Sequence, residues 1–246
     1  QRKIQQYIKN GSKGDLDLYN TPITSLPNNL TSVGGDLDLD STPITNLPNN
    51  LISVNGNLSL YNTPITTLPN NLTVGGNLYL HGTQITSLPD NLTVSRGLYL
   101  NGTPITTLPK NLKVDGDLFL QNTKITSLPE DLTVDGNFNL YKTTITTLPK
   151  NLKVKRNLFL QDTPITSLPD NLTVGGTLNL YYTPITTLPN NLTVGENLFL
   201  NYTKITSLPE NLTVGGYLDL RDTPISKQYS ARELRTMVPK CRGVYA

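Results

Sequence analysis

The sequence predicts a mainly β, right-handed solenoid of about eleven coils, with a parallel sheet on one face and short helical caps. Three observations predict it. The first is a repeated unit of twenty residues: residues 72–91 return, lightly edited, from Leu92, Leu112, Leu132, Leu152, Leu172, Leu192 and Leu212, and earlier copies open at Leu30 and Leu51. A period near twenty residues marks a chain of supersecondary units, each burying its apolar face only against its neighbours. The second is an alternating Leu-x-Leu inside every copy. The third is composition: only 36% of the 246 residues are hydrophobic and 7% aromatic, thin for a round core but enough for a rod.

Taken in order, residues 1–13 form an N-terminal cap. Ile4, Tyr7 and Ile8 fall on one face of a short helix, and Asn10-Gly11 stops it. The solenoid follows over residues 14–226. Its strands are Leu16/Leu18, Leu37/Leu39, Leu58/Leu60 and their successors to Leu218/Leu220, with Phe138 once in place of Leu. The first two spacings are 21 residues, with Ser32 and Ser53 as the extra residues; later spacings are 20. After each strand come Thr-x-Ile-Thr and Leu-Pro. The proline fixes φ and removes a donor, so this arc is extended and not helical. Asn-Leu, Val and one or two glycines complete the coil, and glycine there suits a tight or positive-φ corner.

Each coil thus points Leu78, Leu80, Ile85, Leu88, Leu92 and Val94, or their equivalents, inward. At about 1.5–3 kcal/mol per buried side chain, this offsets only part of the ordering entropy, so stacking must supply the rest. Residues 227–246 form a C-terminal cap: Ser230-Ala-Arg-Glu233 is a capping box, Leu234, Met237 and Val238 an apolar stripe, Pro239 a stop, and residues 243–246 a last strand.

The pattern Leu-x-Leu-x-x-Thr-x-Ile-x-x-Leu-Pro-x-x-Leu resembles the leucine-rich repeat, in the short Leu-Pro form of bacterial effector proteins; similar repeats occur in phage proteins. The resemblance covers residues 14–226. It departs at Thr21, Thr42, Thr63, Thr83 and Thr103, where the family carries Asn or Cys. An Asn ladder there bonds neighbouring backbones; Thr is expected to do so less fully, giving a flatter coil. Family members that are ubiquitin ligases carry their catalytic cysteine in a large further domain, to which residues 227–246 do not correspond.

Composition narrows the function. A net charge of +2 gives no global attraction to nucleic acid or membrane, and no apolar run approaches the roughly 18 residues of a membrane span. The chain begins with Gln and shows no signal peptide. With Cys241 alone no internal disulfide forms, which favours a cytoplasmic or virion-associated setting. His81, the single histidine, has no nucleophile elbow or phosphate loop beside it, so an enzyme is not expected and no cofactor is called for.

Two outward features stand out. Asp15, Asp17, Asp36, Asp38 and Asp40 lie close together on the first strands. They read first as a solvated acidic edge; a hard cation held by Asp15, Asp17, Asp36 and Asp38, or a basic partner, is the alternative. The second is an aromatic and amide face: Tyr61, Tyr79, His81, Tyr99, Phe119, Gln121, Tyr141, Phe159, Gln161, Tyr181, Phe199 and Tyr202, with Tyr182 beside them. In the later copies Phe and Asn alternate with a forty-residue superperiod. Aromatic rows offer large contact area at low entropic cost. Lys110, Lys113, Lys150, Lys153, Lys155 and Arg156 recur on the Leu-Pro side and read as solvated lysines before a phosphate strip. The expected function is a non-catalytic protein-binding scaffold of phage or bacterial origin. A carbohydrate-binding or virion-surface adhesin is the alternative.

Overall fold

The structure is a computed structural model and describes residues 2–246. It divides into two compact units, one ending at Phe119 and one beginning at Leu120. Both are lengths of β-solenoid with parallel sheets.

The first unit opens with helix α1 (Arg2–Lys9), which buries Ile4 and half-buries Tyr7 and Ile8. Gly11, at φ +81°, ends it in the left-handed conformation that glycine adopts without steric cost. The Tyr7 hydroxyl fixes the helix to the solenoid: it lies 2.8 Å from the carbonyls of Ser12 and Gly14 and accepts from the Gly34 amide at 3.1 Å.

Two-residue strands then stack in parallel: Leu16–Asp17, Leu37–Asp38, Leu58–Ser59, Leu78–Tyr79, Leu98–Tyr99 and Leu118–Phe119, leucine on leucine. A second parallel ladder, not anticipated from the sequence, joins Ser32–Val33, Ser53–Val54, Thr73–Val74, Thr93–Val94 and Lys113–Val114. Its valines are buried and the residues before them are half-buried or exposed. Its register also corrects the place of the extra residue in the two longer coils. Ser53 aligns with Thr73, so the additional residues are Thr31 and Ile52, and Ile52 is turned outward, 59% exposed.

The second unit repeats this plan. Phe138–Asn139, Leu158–Phe159, Leu178–Asn179, Leu198–Phe199 and Tyr217–Asp219 form its front ladder, closed by Gly243–Tyr245. Thr133–Val134 to Thr213–Val214 form the other. The fully buried Phe138 fits where other coils carry Leu. Helix α2 (Ala231–Met237) has the capping box: Ser230 N donates to Glu233 Oε2 at 2.8 Å and Glu233 N to Ser230 Oγ at 3.4 Å. Leu234 and Val238 are buried, but Met237 is 40% exposed and not part of the stripe.

Each coil buries its leucines, isoleucine and valine; Leu78, Leu80 and Ile85 are wholly inaccessible to solvent. The Leu-Pro leucine sits nearest the surface, and Leu128 and Leu208 are only half-buried. The buried threonines bond differently from expectation. Thr83 Oγ1 donates to the Leu80 carbonyl of its own coil at 2.6 Å, and the Thr83 amide bonds the same carbonyl. The same hydroxyl bond recurs from Thr21 to Thr223. Threonine therefore closes a turn within a coil; it does not lace coils together.

Lacing comes instead from Asp or Asn where one precedes the inward Leu-x-Leu. Asp15 Oδ1 accepts from Asp36 N at 2.8 Å, Asp36 from Asn57 N at 2.7 Å, Asn57 from Asn77 N and Asn77 from Gly97 N, both at 2.8 Å. In the second unit Asn157 accepts from Thr177 N and Asn197 from Tyr217 N. These side chains extend strands that are only two residues long.

The Val-Gly corners also differ from expectation. Gly75 and Gly195 do not have positive φ; they are needed because the coils touch. A Cβ on Gly75 would lie 2.2 Å from the Asn55 carbonyl oxygen, and one on Gly195 would lie 2.0 Å from that of Gly175.

Candidate binding face

The turn closed by threonine decides which side chains face outward. In Leu80-His81-Gly82-Thr83 the third residue has φ +76°, the place a type II turn reserves for Gly or Asn. Three outward columns follow. One is the strand residue between the leucines, such as Tyr79. The next is the second residue of the turn, such as His81. The last is the positive-φ residue, such as Gly82.

In the first unit, five residues of the first two columns form a continuous band of rings. Tyr61 stacks on His81 at 4.4 Å, and the His81 ring meets the edge of Tyr79 at 6.3 Å. Tyr79 stacks on Tyr99 at 4.8 Å, and Tyr99 on Phe119 at 5.1 Å. The register Tyr79↔Tyr99↔Phe119 brings the last three into line. Local packing holds them. Asn77 Nδ2 donates to the Tyr79 hydroxyl at 3.1 Å, and the Tyr99 ring lies on Gly97, where a Cβ would come within 2.7 Å of it. Burial holds the Tyr99 phenol above its usual pKa, with the nearby Asp117 charge adding to the effect. Burial lowers the pKa of His81, against the opposing pull of Asp40.

In the second unit the strand column alternates. Phe159 aligns with Asn139 and Asn179, and Phe199 with Asn179 and Asp219, so the phenyl rings never meet. The asparagines serve the adjoining turn. Asn139 Oδ1 accepts from Tyr141 N and Asn179 Oδ1 from Tyr181 N, both at 3.0 Å. Lys142 Nζ lies 5.0 Å over the Tyr141 ring. Gln121 and Gln161 each bury an unpartnered Oε1, as His81 does its Nδ1.

Tyr182 and Tyr202 do not join the strand face as expected. They occupy the positive-φ column, at φ +57° and +61°, and stack on each other at 4.8 Å with their planes 5° apart. Tyr181 meets both edge-on, at 4.6 and 5.5 Å. Composition alone groups them with the strand residues, because it counts tyrosines and not the place each holds in the turn. Counting back from Thr183 and Thr203 separates them.

The acidic residues of the first strands are tied to the backbone. Besides Asp15 and Asp36 in the ladder, Asp17 Oδ1 accepts from Tyr19 N and Asp38 Oδ1 from Asp40 N, both at 3.0 Å. Burial raises the Asp38 carboxyl, opposed by the Asp40 amide bond. Among the described residues no group of three or more His, Cys, Asp or Glu is gathered for a metal ion. On the far side, Lys150, Lys153 and Lys155 line an open recess together with Asp131 and Asp170, and Lys155 pairs with Asp135 at 2.6 Å. Positive charge there is interleaved with negative.

Every coil thus has the same parts: a Leu-x-Leu strand, a turn closed by a buried threonine, an extended Ile-to-Leu-Pro arc and a valine strand returning after about twenty residues. These parts make a parallel β-solenoid whose repeat resembles the leucine-rich repeat. No family model matches the sequence, and no curated protein matches it. Among solved structures, this chain is similar to a leucine-rich repeat protein of Leptospira interrogans, at 21% identity and a TM-score of 0.47 over 94% of this chain and 83% of that one. It is also similar to YopM, a leucine-rich effector protein of Yersinia pestis, at 16% identity and a TM-score of 0.47 over 100% and 92%.

Proposed function

We propose that this chain is a leucine-rich repeat scaffold, non-catalytic, that binds a protein partner on its outward strand face. The observation that carries the reading is the band Tyr61–His81–Tyr79–Tyr99–Phe119. These rings are already fixed by one another and by the coils beneath, so little side-chain entropy is lost when a partner covers them. Their polar neighbours suit a mixed protein surface better than a membrane.

The stacking favours a protein over a glycan. A sugar ring packs on an open aromatic face. Here the inner faces are taken up by neighbouring rings, at 22° between Tyr79 and Tyr99 and 20° between Tyr99 and Phe119. Rings stacked on one another leave their edges for a partner, and edges suit the aliphatic and aromatic side chains of a protein. The groups with reactive chemistry are otherwise engaged. His81 is part of the stack, and Cys241 is buried, which raises its thiol pKa and disfavours the nucleophilic thiolate.

The test is proximity cross-linking in the native source, with quantitative mass spectrometry, using the natural chain and the triple variant Tyr79→Ala, Tyr99→Ala, Phe119→Ala. A specific partner should be recovered at least tenfold less with the variant, whose circular dichroism should still report the folded solenoid. Equal recovery would remove the band from the interface.

A further inference from the structure

The positive-φ column of the second unit reads Lys142, Asp162, Tyr182, Tyr202 and Asp222 in successive coils. Backbone bonds fix this order: Lys142 N donates to Gln161 O, Asp162 N to Tyr181 O, Tyr182 N to Asn201 O and Tyr202 N to Arg221 O. A stacked pair of tyrosines therefore has an aspartate one coil away on each side. Large side chains are disfavoured at this backbone conformation, so two adjacent tyrosines there are not explained by the fold.

The rings remain open to solvent. Tyr182 is 52% exposed and Tyr202 45%. Tyr181, Tyr182 and Tyr202 touch one another, so no hollow lies between them; the free surfaces are the outer ring faces. Asp222 interacts with the Tyr202 hydroxyl, and both aspartates act on Tyr181. The ion pairs among the described residues are Lys155–Asp135 and Arg221–Asp219, so Asp162 and Asp222 make none, although Lys142 acts on Asp162 and Arg221 on Asp222 from further off.

The same unit twice shows what such a combination holds. Lys142 lies over the Tyr141 ring, one coil from Asp162. Arg221 lies 5.7 Å over the Tyr245 ring while both its Nε and Nη2 bond the Asp219 carboxylate, at 2.9 and 2.6 Å. In both places the chain supplies its own cation to a tyrosine face near a carboxylate. Between them, the Tyr182–Tyr202 pair has the rings and the carboxylates but no cation on it among the described residues. An aromatic face attracts a guanidinium or ammonium through its quadrupole, and a nearby carboxylate adds charge and a hydrogen-bond acceptor.

We propose that Tyr182 and Tyr202, flanked by Asp162 and Asp222, form a docking site for an arginine-bearing basic segment of a partner protein. The guanidinium lies flat on an outer ring face and bonds the adjoining carboxylate. Arginine suits the site better than lysine because its planar fork can stack and donate together. This rests on the reading of the chain as a protein-binding scaffold and adds a second contact, at the turn corner and outside the strand face.

The experiment titrates the intact chain with a fluorescein-labelled hexa-arginine peptide and follows anisotropy at near-physiological salt. Binding should weaken at least tenfold in the double variant Tyr182→Asn, Tyr202→Asn, which should stay folded because asparagine accepts this φ. Asp162→Asn with Asp222→Asn should weaken it about fivefold. Tyr182→Phe with Tyr202→Phe keeps the rings and should stay within about twofold. The triple alanine variant of Tyr79, Tyr99 and Phe119 should bind the peptide as the natural chain does. That separates failure of this site from failure of the strand-face reading. Absence of peptide binding by the natural chain overturns the proposal. So does unchanged binding by the Tyr182→Asn, Tyr202→Asn variant, which would assign the peptide to the acidic first strands.

Discussion

In the first unit the positive-φ corner holds Asn20, Ser41, Asn62, Gly82 and Gly102; in the second it holds Asn122, Lys142, Asp162, Tyr182, Tyr202 and Asp222. The strand face changes in the opposite direction. After Asp17, Asp38 and Ser59 the first unit stacks Tyr79, Tyr99 and Phe119 there in succession, whereas the second spaces its phenylalanines with asparagines that hold the turn. Underneath, both units bury the same inward columns, with Phe138 once in place of leucine, and both have glycines set against the preceding coil. The difference shows that the outside of a coil can vary column by column while the inside does not. Large side chains are absent from the corner in the first unit and present there in the second.

The comparison can be tested from its largest expected effect downward, with peptide-resolved hydrogen exchange reporting each unit separately. If the inner frame is shared, Leu98→Ala and Leu178→Ala should each destabilise their own unit by about 3 kcal/mol, as for other buried leucines. A difference of more than about 2 kcal/mol between them, beyond the usual site-to-site spread, would mean that the frames are not equivalent. Moving the corner chemistry should be costly in the wrong place: Asn62→Tyr forces a bulky residue into the left-handed region and should lower first-unit stability by about 1–2 kcal/mol. No loss would mean that the corner tolerates tyrosine freely and that Tyr182 and Tyr202 need no special explanation.

The strand face gives a smaller pair of effects. Phe119→Asn removes one stacking contact and should cost about 0.5–1.5 kcal/mol. Asn179→Phe removes the bond to the Tyr181 amide and should cost about 1 kcal/mol. If Asn179→Phe were stabilising, the asparagines would be there for recognition and not for the turn.

The smallest effect concerns pH. Burial lowers the folded-state pKa of His81 below the ordinary 6.5, so the unfolded chain takes up this proton first as pH falls. First-unit stability should therefore decline as pH drops through about 6.5, and His81→Asn should flatten that decline. The second unit has no histidine and should show no such slope in that window.

Much of this was legible in the sequence because solenoid repeats are periodic. The inward Leu78, Leu80 and Ile85 recur every coil, and burial follows directly from that. The capping box at Ser230 and Glu233 was equally readable, since it depends on neighbours three residues apart. What escaped was set by contact between coils. The Thr-Val ladder is two residues long, too short to show alternation. The glycines of Val-Gly-Gly look like turn residues until the carbonyl of the preceding coil is seen against them. The aspartates of the first strands look like a charge cluster until their oxygens are found on backbone amides. Tyr182 and Tyr202 look like members of an aromatic row until φ separates them from Tyr181.

The glycine seam has a further consequence. Gly175 meets the carbonyl of Lys155, Gly195 that of Gly175, and Gly215 that of Gly195, at nearly the same separation each time. Every joint in this run is the same joint. A gene segment encoding one coil, or two, can be duplicated or lost here by unequal crossing-over, and the new neighbours meet as the old ones did. Length thus becomes a heritable variable separable from the fold, and each duplicated coil brings a fresh set of outward positions on which selection can act.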